Sequence, residues 1–113
     1  MDSPLTTAGN AFERIKHLDG EREWWCDQKL RTVLGYTGDN DYQKFRNVVK
    51  KAKITFSRTE LKIEDHFFPT NLPEFIGSIG QKMIEVEGFS RFACYLIIQN
   101  ADPKKDMVCV ELV

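Results

Sequence analysis

The densest group of chemically active side chains is a run of lysines and arginines in the middle of the chain. Between residues 44 and 62 there are seven cations and only one acid, Glu60. The seven cations are Lys44, Arg46, Lys50, Lys51, Lys53, Arg58 and Lys62. The whole chain has a net charge of −1, so the other residues together carry −7. Such an asymmetry suits binding of nucleic-acid phosphates. Such a run is more commonly the solvated face of an amphipathic helix, and both interpretations stay open.

Further side chains offer weaker nucleic-acid contacts. Arg91 at a helix start is a second candidate phosphate ligand, and a salt bridge within the protein explains it equally well. Four aromatic residues could stack on unpaired bases, but aromatic side chains in strands and on helix stripes usually form the core. They are Trp24, Trp25, Tyr36 and Phe45. If Trp24 and Trp25 lie in one strand, their side chains must point to opposite faces.

The sequence predicts no catalytic or metal site. His17 and His66 are far apart, and neither has metal-ligand spacing to a cysteine. Asp65 and His66 would form an acid/base pair only beside a nucleophile, and Cys94 lies among apolar residues, as an inert buried thiol does. Residues 77–82 contain glycines and a lysine but lack the spacing of a phosphate-binding loop. We therefore expect a protein that is not an enzyme and that needs no metal or cofactor.

Composition sets the class of protein. The chain has 113 residues, of which 42% are hydrophobic and 29% charged, as is ordinary for a globular domain. No apolar run approaches the ~20 residues of a membrane span, and three cysteines without CxxC spacing favour reduced thiols. The sequence predicts a cytoplasmic protein without a membrane segment. It divides into a flexible leader at 1–10 and a single domain at 11–113.

In the first half of the chain, local patterns predict a hairpin and two helices. Asp19-Gly20 lies between two short strand-like runs, which favours a β-hairpin. Residues 27–34 form a short helix, and Gly35 suits the position after its end. Residues 41–56 form the longest helix, because apolar residues recur along one side of it. That stripe consists of Tyr42, Phe45, Val49, Ala52 and Phe56.

The second half is predicted to add a further pair of strands and two helices. Residues 65–68 form a strand ended by Pro69, residues 71–80 a loop, and residues 83–87 a strand that pairs with residues 67–68. Ser90 caps a helix that closes at Asn100 and Ala101. Asp102 then caps another, with Pro103 in its first turn. The fold class is therefore α+β, with short β-hairpins packed with about four helices.

Several of these segments, in order, resemble a known family. The blocks are Glu23-Trp24-Trp25 with the later LGY, Tyr42-x-x-Phe45 with VVKKAK, DHF at 65–67, and SRFACYLIIQNADPKK at 90–105. They are similar to the DNA damage-inducible protein D family, which is related to the BRO N-terminal domain of phage and viral proteins. The resemblance covers roughly residues 12–113. It implies an α+β domain associated with DNA binding, phage antirepression or modulation of recombination filaments, and it brings no catalytic residues.

The chain departs from the family at a few positions. Cys26 stands where the family usually has serine, so one helix cap is weakened. The loop at 37–41 is longer than usual, Tyr42 replaces tryptophan, and the family continues past Val113.

Our leading hypothesis is a DNA-binding or DNA-transaction regulatory module that contacts phosphates through the basic helix and Arg91. The alternative is a protein-interaction module, such as an antirepressor or recombinase-filament modulator. It would act through the 67–80 loop and an apolar C-terminal helix that could also form a homodimer.

Overall fold

A computed structural model describes residues 11–102 of the chain. Within these residues, two pairs of strands lie between four helices along the chain, which confirms the α+β class. They are α1 (residues 11–14), β1 (His17–Asp19), β2 (Arg22–Cys26), α2 (Asp27–Val33), α3 (Asp41–Phe56), β3 (Phe67–Phe75), β4 (Gln81–Phe89) and α4 (Arg91–Asn100). Single 3-10 turns lie at Ile63–Asp65 and Gly77–Ile79. No helix within these residues is long and apolar enough to cross a bilayer.

The four strands form one antiparallel sheet in the order β1-β2-β4-β3. β2 pairs with β4 at only two positions, Trp25 with Phe89 and Cys26 with Gly88, because the chain turns into α2 at Asp27. β3 and β4 are paired over all nine residues of each strand. The distal half of this hairpin therefore extends beyond the end of β2.

The hairpin predicted around Asp19-Gly20 is confirmed. Asp19 pairs with Arg22, so the loop between β1 and β2 has two residues. Its first residue, Gly20, has a φ of 63°. The turns that match the twist of two-residue hairpins need this left-handed conformation, which glycine adopts without strain.

The predicted end of the next strand at Pro69 was wrong. β3 begins at Phe67, after a 3-10 turn that contains Asp65, and runs through Pro69 and Pro73 to Phe75. The loop expected at 71–80 is shorter in the structure, where only residues 76–80 connect β3 to β4. The reason is that β3 is an edge strand, where alternate residues direct their N–H groups away from the sheet. Pro69 and Pro73 are four residues apart, so both can occupy outward positions, where no N–H is needed.

The aromatic residues predicted as core are buried. Trp25, Tyr36 and Phe45 belong to the main cluster, in which the helices pack on one face of the sheet. Trp24 lies on the opposite face, in a small cluster with Cys26 and Val86. The adjacent tryptophans thus face opposite sides of β2, as the alternation of a strand requires.

Helix α3 has the predicted bounds, and four of the five residues of its apolar stripe are buried. Tyr42 is the exception. Its side chain is 56% exposed in the first turn of α3, and the guanidinium of Arg31 lies 5.6 Å from its ring. Val48, which the stripe omitted, is buried in its place. Opposite the stripe, α3 presents a polar surface.

The caps of α2 and α4 differ as expected. Ser90 caps α4, since its Oγ accepts a hydrogen bond from the N–H of Ala93 at 3.0 Å. Cys26 at the start of α2 makes no side-chain cap bond. At the end of α4, the N–H of Asp102 donates to the hydroxyl of Tyr36. Three expectations lie outside the described residues: the leader at 1–10, the helix after Asp102, and the dimer contact at the chain end.

Replacing Ser90 with alanine is expected to lower the free energy of unfolding by about 1–2 kcal/mol, because the cap bond to Ala93 is lost. Ser90→Asp keeps an acceptor at this position and should cost less. Urea denaturation followed by circular dichroism measures both. Equal losses for the two variants would contradict the capping role. They would point instead to the 2.6 Å contact between Ser90 Oγ and Nδ1 of His66.

Candidate nucleic-acid interface

The cations of α3 are divided between two sides of the helix. Arg46 and Lys53 are seven residues apart, so they lie on the same side, which faces β4. Both reach Glu87. The distance from Arg46 Nη1 to Glu87 Oε1 is 2.9 Å, and that from Lys53 Nζ to Glu87 Oε2 is 2.8 Å. Arg46 also lies 3.9 Å from Asp27. These two cations are half-buried and hold α3 against the sheet.

The outer face of α3 carries the remaining cations of the helix. We define it by Gln43, Lys44, Asn47, Lys50, Lys51 and Ile54, all of them exposed. Lys50 and Lys51 have no carboxylate within 4 Å among the described residues, whereas Lys44 Nζ is 3.8 Å from Asp41 Oδ1. No acid belongs to the outer face itself. It is therefore a positively charged surface with an isolated apolar side chain, Ile54, beside the lysines.

Two more of the predicted cations follow α3 in the chain. Arg58 and Lys62 are exposed in the segment between α3 and β3, and neither forms an ion pair with a described residue. Glu60 lies between them in sequence and is also exposed. The five predicted cations available to a ligand are thus Lys44, Lys50, Lys51, Arg58 and Lys62.

Arg91 is half-buried and held by two carboxylates. Its Nε is 2.7 Å from Glu23 Oε2, and its Nη1 is 3.0 Å from Glu13 Oε1. Its guanidinium also lies 5.0 Å from the ring of Trp25. Hydrogen bonding to Glu23 raises the pKa of Arg91, and the same bond lowers the pKa of the Glu23 carboxyl. The arrangement favours the salt-bridge interpretation of Arg91. Through these ion pairs, Arg91 joins α4 to β2 and to residue 13.

The described residues show no catalytic arrangement. The hydroxyl of Ser90 contacts His66, but the same oxygen caps α4. Burial raises the pKa of both Cys26 and Cys94, which makes these thiols poor nucleophiles at neutral pH. Among residues 11–102 no three His, Cys, Asp or Glu side chains are placed to hold a metal ion. Residues 77–82 lead into strand β4 and not into a helix, so they do not build a phosphate loop.

Two surface features are seen only in the structure, although the sequence had indicated residues 67–80 as a possible protein contact. The tip of the β3–β4 hairpin exposes four large apolar side chains, those of Phe75, Ile76, Ile79 and Met83. A cavity of about 330 Å³ lies where β2 leaves β4, and it is lined by Asp27, Tyr42, Arg46, Pro69, Glu85, Val86 and Glu87. The sequence predicted a loop at residues 71–80, so it gave no indication of how far the β3–β4 hairpin extends or that its tip is apolar.

These features define a class of protein: a small α+β domain with a cationic helix packed on an antiparallel sheet. Over 98 residues the chain is 34% identical to DNA damage-inducible protein D of Escherichia coli (strain K12). The match covers 86% of this chain, so the chain belongs to the DNA damage-inducible protein D family. The matched segment is 35% of the relative's length. No family model and no solved structure matches the chain.

Proposed function

We propose that this chain is a non-enzymatic regulatory module of the DNA damage response that binds DNA phosphates through the outer face of α3. The observation that carries the proposal is the pair Lys50 and Lys51, two exposed ammonium groups without a carboxylate partner on a surface without acids. The name of the relative supplies the link to DNA damage. Phosphates are the ligands that such a surface attracts most strongly.

The geometry favours binding without strong base readout. Lysine is a flexible point charge, whereas arginine presents the planar fork that recognises guanine edges. Arg46 and Arg91 are the two predicted arginines in ion pairs, so mainly lysines are left for the ligand. If all five available cations contact duplex phosphates, log K should fall with log salt with a slope of about −4.5. Affinity should vary little with sequence.

The test is a titration of labelled single- and double-stranded DNA with the protein, followed by fluorescence anisotropy over a salt series. Lys50→Glu/Lys51→Glu is expected to weaken binding about tenfold or more and to reduce the salt slope by about 2. Lys29→Glu/Lys82→Glu is the matched control, because it changes the net charge equally with exposed lysines away from α3. Absence of binding at ~50 mM salt, or an equal loss in the control, would refute the proposal.

A second candidate function is a protein-interaction module, such as a phage-type antirepressor or a modulator of recombinase filaments. The observation that favours it is the apolar hairpin tip, where Phe75 and Ile79 are 79% and 87% exposed. Large apolar side chains exposed together at one hairpin tip are typical of protein contact sites. Two results together would favour this function. The protein would not bind DNA in the titration above, and its binding to a protein partner would require the hairpin tip.

A further inference from the structure

The two edges of the β3–β4 hairpin differ in what they offer to another strand. On the outer edge of β3, Pro69 and Pro73 remove two of the outward N–H groups, which weakens that edge for pairing. On the opposite edge, residues 81–87 of β4 contain no proline and lie beside no described strand, since β2 pairs only with Gly88 and Phe89. This stretch of β4 has no described strand beside it over about 23 Å, and the start of α2, at Asp27, approaches it only near Glu87.

We propose that residues 81–87 of β4 bind an extended segment of a partner protein as an added strand, and that this segment carries a basic residue between two aliphatic ones. Backbone hydrogen bonds to this edge would supply affinity, and the side chains on the two faces would supply specificity. The surface is separate from the outer face of α3, so the proposal does not rest on DNA binding.

We expect a basic residue in the partner segment because of the charges on the face of β4 that is directed toward α3. The cavity at this face is lined by three carboxylates, those of Asp27, Glu85 and Glu87, and by one guanidinium, that of Arg46. Glu87 is already bound by two cations, and Asp27 is 3.9 Å from Arg46. Glu85 is exposed and has no cation within 4 Å among the described residues. A guanidinium from the added strand, opposite Glu85, would complete this site.

We expect aliphatic residues on either side of that basic residue because the opposite face of β4 is apolar. Ile84 is half-buried and Val86 is buried there, in the cluster that contains Trp24. Side chains next to the basic residue on an added strand would point to this face, because a strand alternates. Valine or isoleucine at these positions would extend the cluster and cover Ile84.

The test uses a blocked seven-residue peptide in which a central arginine has a valine on each side. Titration calorimetry should show that it binds at least about tenfold more tightly than the same peptide with a central glutamate, since like charges would then meet at Glu85. The Glu85→Arg protein should reverse that preference. Hydrogen exchange should show protection of backbone amides in residues 81–87 on binding.

A third peptide, with the arginine sequence but N-methylated at alternate amides, separates strand addition from simple charge attraction. It lacks the ladder donors and should lose most of the binding. Equal binding by this peptide would overturn the proposal, as would failure of the arginine peptide to bind or an unchanged preference in Glu85→Arg. A protein dimer that the peptide does not dissociate would also overturn it, because a second copy would then occupy the edge.

Discussion

Replacing Trp25 with alanine is expected to lower the free energy of unfolding by about 3–5 kcal/mol, a large part of the ordinary stability of a small domain. Trp25 is fully buried at the centre of the main cluster. Its ring stacks on Phe12 with a centroid distance of 4.4 Å, and its Nε1–H donates to the carbonyl of Phe12 at 2.9 Å. Arg91 covers it from α4. The substitution thus removes packing, a hydrogen bond and a cation–π contact at once.

Two variants distinguish these contributions. Trp25→Phe keeps an aromatic ring but loses the bond to the Phe12 carbonyl, so a loss of about 1–2 kcal/mol is expected. Trp24→Ala removes a tryptophan of equal size from the smaller cluster on the other face, where its buried neighbours are Cys26 and Val86. It should cost less than Trp25→Ala. Urea denaturation followed by far-ultraviolet circular dichroism measures all three, and an equal cost for the two alanine variants would contradict the central role of Trp25.

The elements that the sequence predicted well are those set by nearby residues. α3 has the predicted bounds because its apolar spacing is a local signal, and the Asp19-Gly20 hairpin follows from its turn. The length of β3 could not be predicted in this way. Prolines end a central strand but are tolerated at an edge, and the edge position of β3 is decided by strand order, which no local pattern reveals.

The candidate site, too, could be predicted only in part from nearby residues. Composition alone identified the cationic run, but which cations are available depends on acids distant in sequence. Glu87, which holds Arg46, is 41 residues from it, and Glu23, which holds Arg91, is 68 residues away. Ion pairs of this kind depend on how α3 and α4 pack on the sheet. The structure therefore separates cations that hold the fold together from those, such as Lys50, that remain for a ligand.

Gly88→Ala is expected to destabilise the protein by about 1–3 kcal/mol, through overpacking against a single ring. Gly88 lies in β4 directly opposite Phe68 of β3, whose ring covers it. A Cβ at this position would come within 2.8 Å of Phe68 Cζ and closer still to Cε2. The ring has little freedom to move away, since the guanidinium of Arg22 is 4.0 Å from its centroid and Trp24 meets it edge-on. Urea denaturation measures the loss.

A double-mutant cycle with Phe68→Ala tests this cause. The backbone of Gly88 is not left-handed, so alanine can adopt it without strain. With the ring removed, Gly88→Ala should be neutral or slightly stabilising, because alanine loses less backbone entropy than glycine in a strand. The coupling energy between the two sites should therefore account for the whole loss seen in the single variant. If Gly88→Ala is as harmful without the ring as with it, the backbone of β4 requires glycine there for another reason, and the covering of Gly88 by Phe68 is incidental.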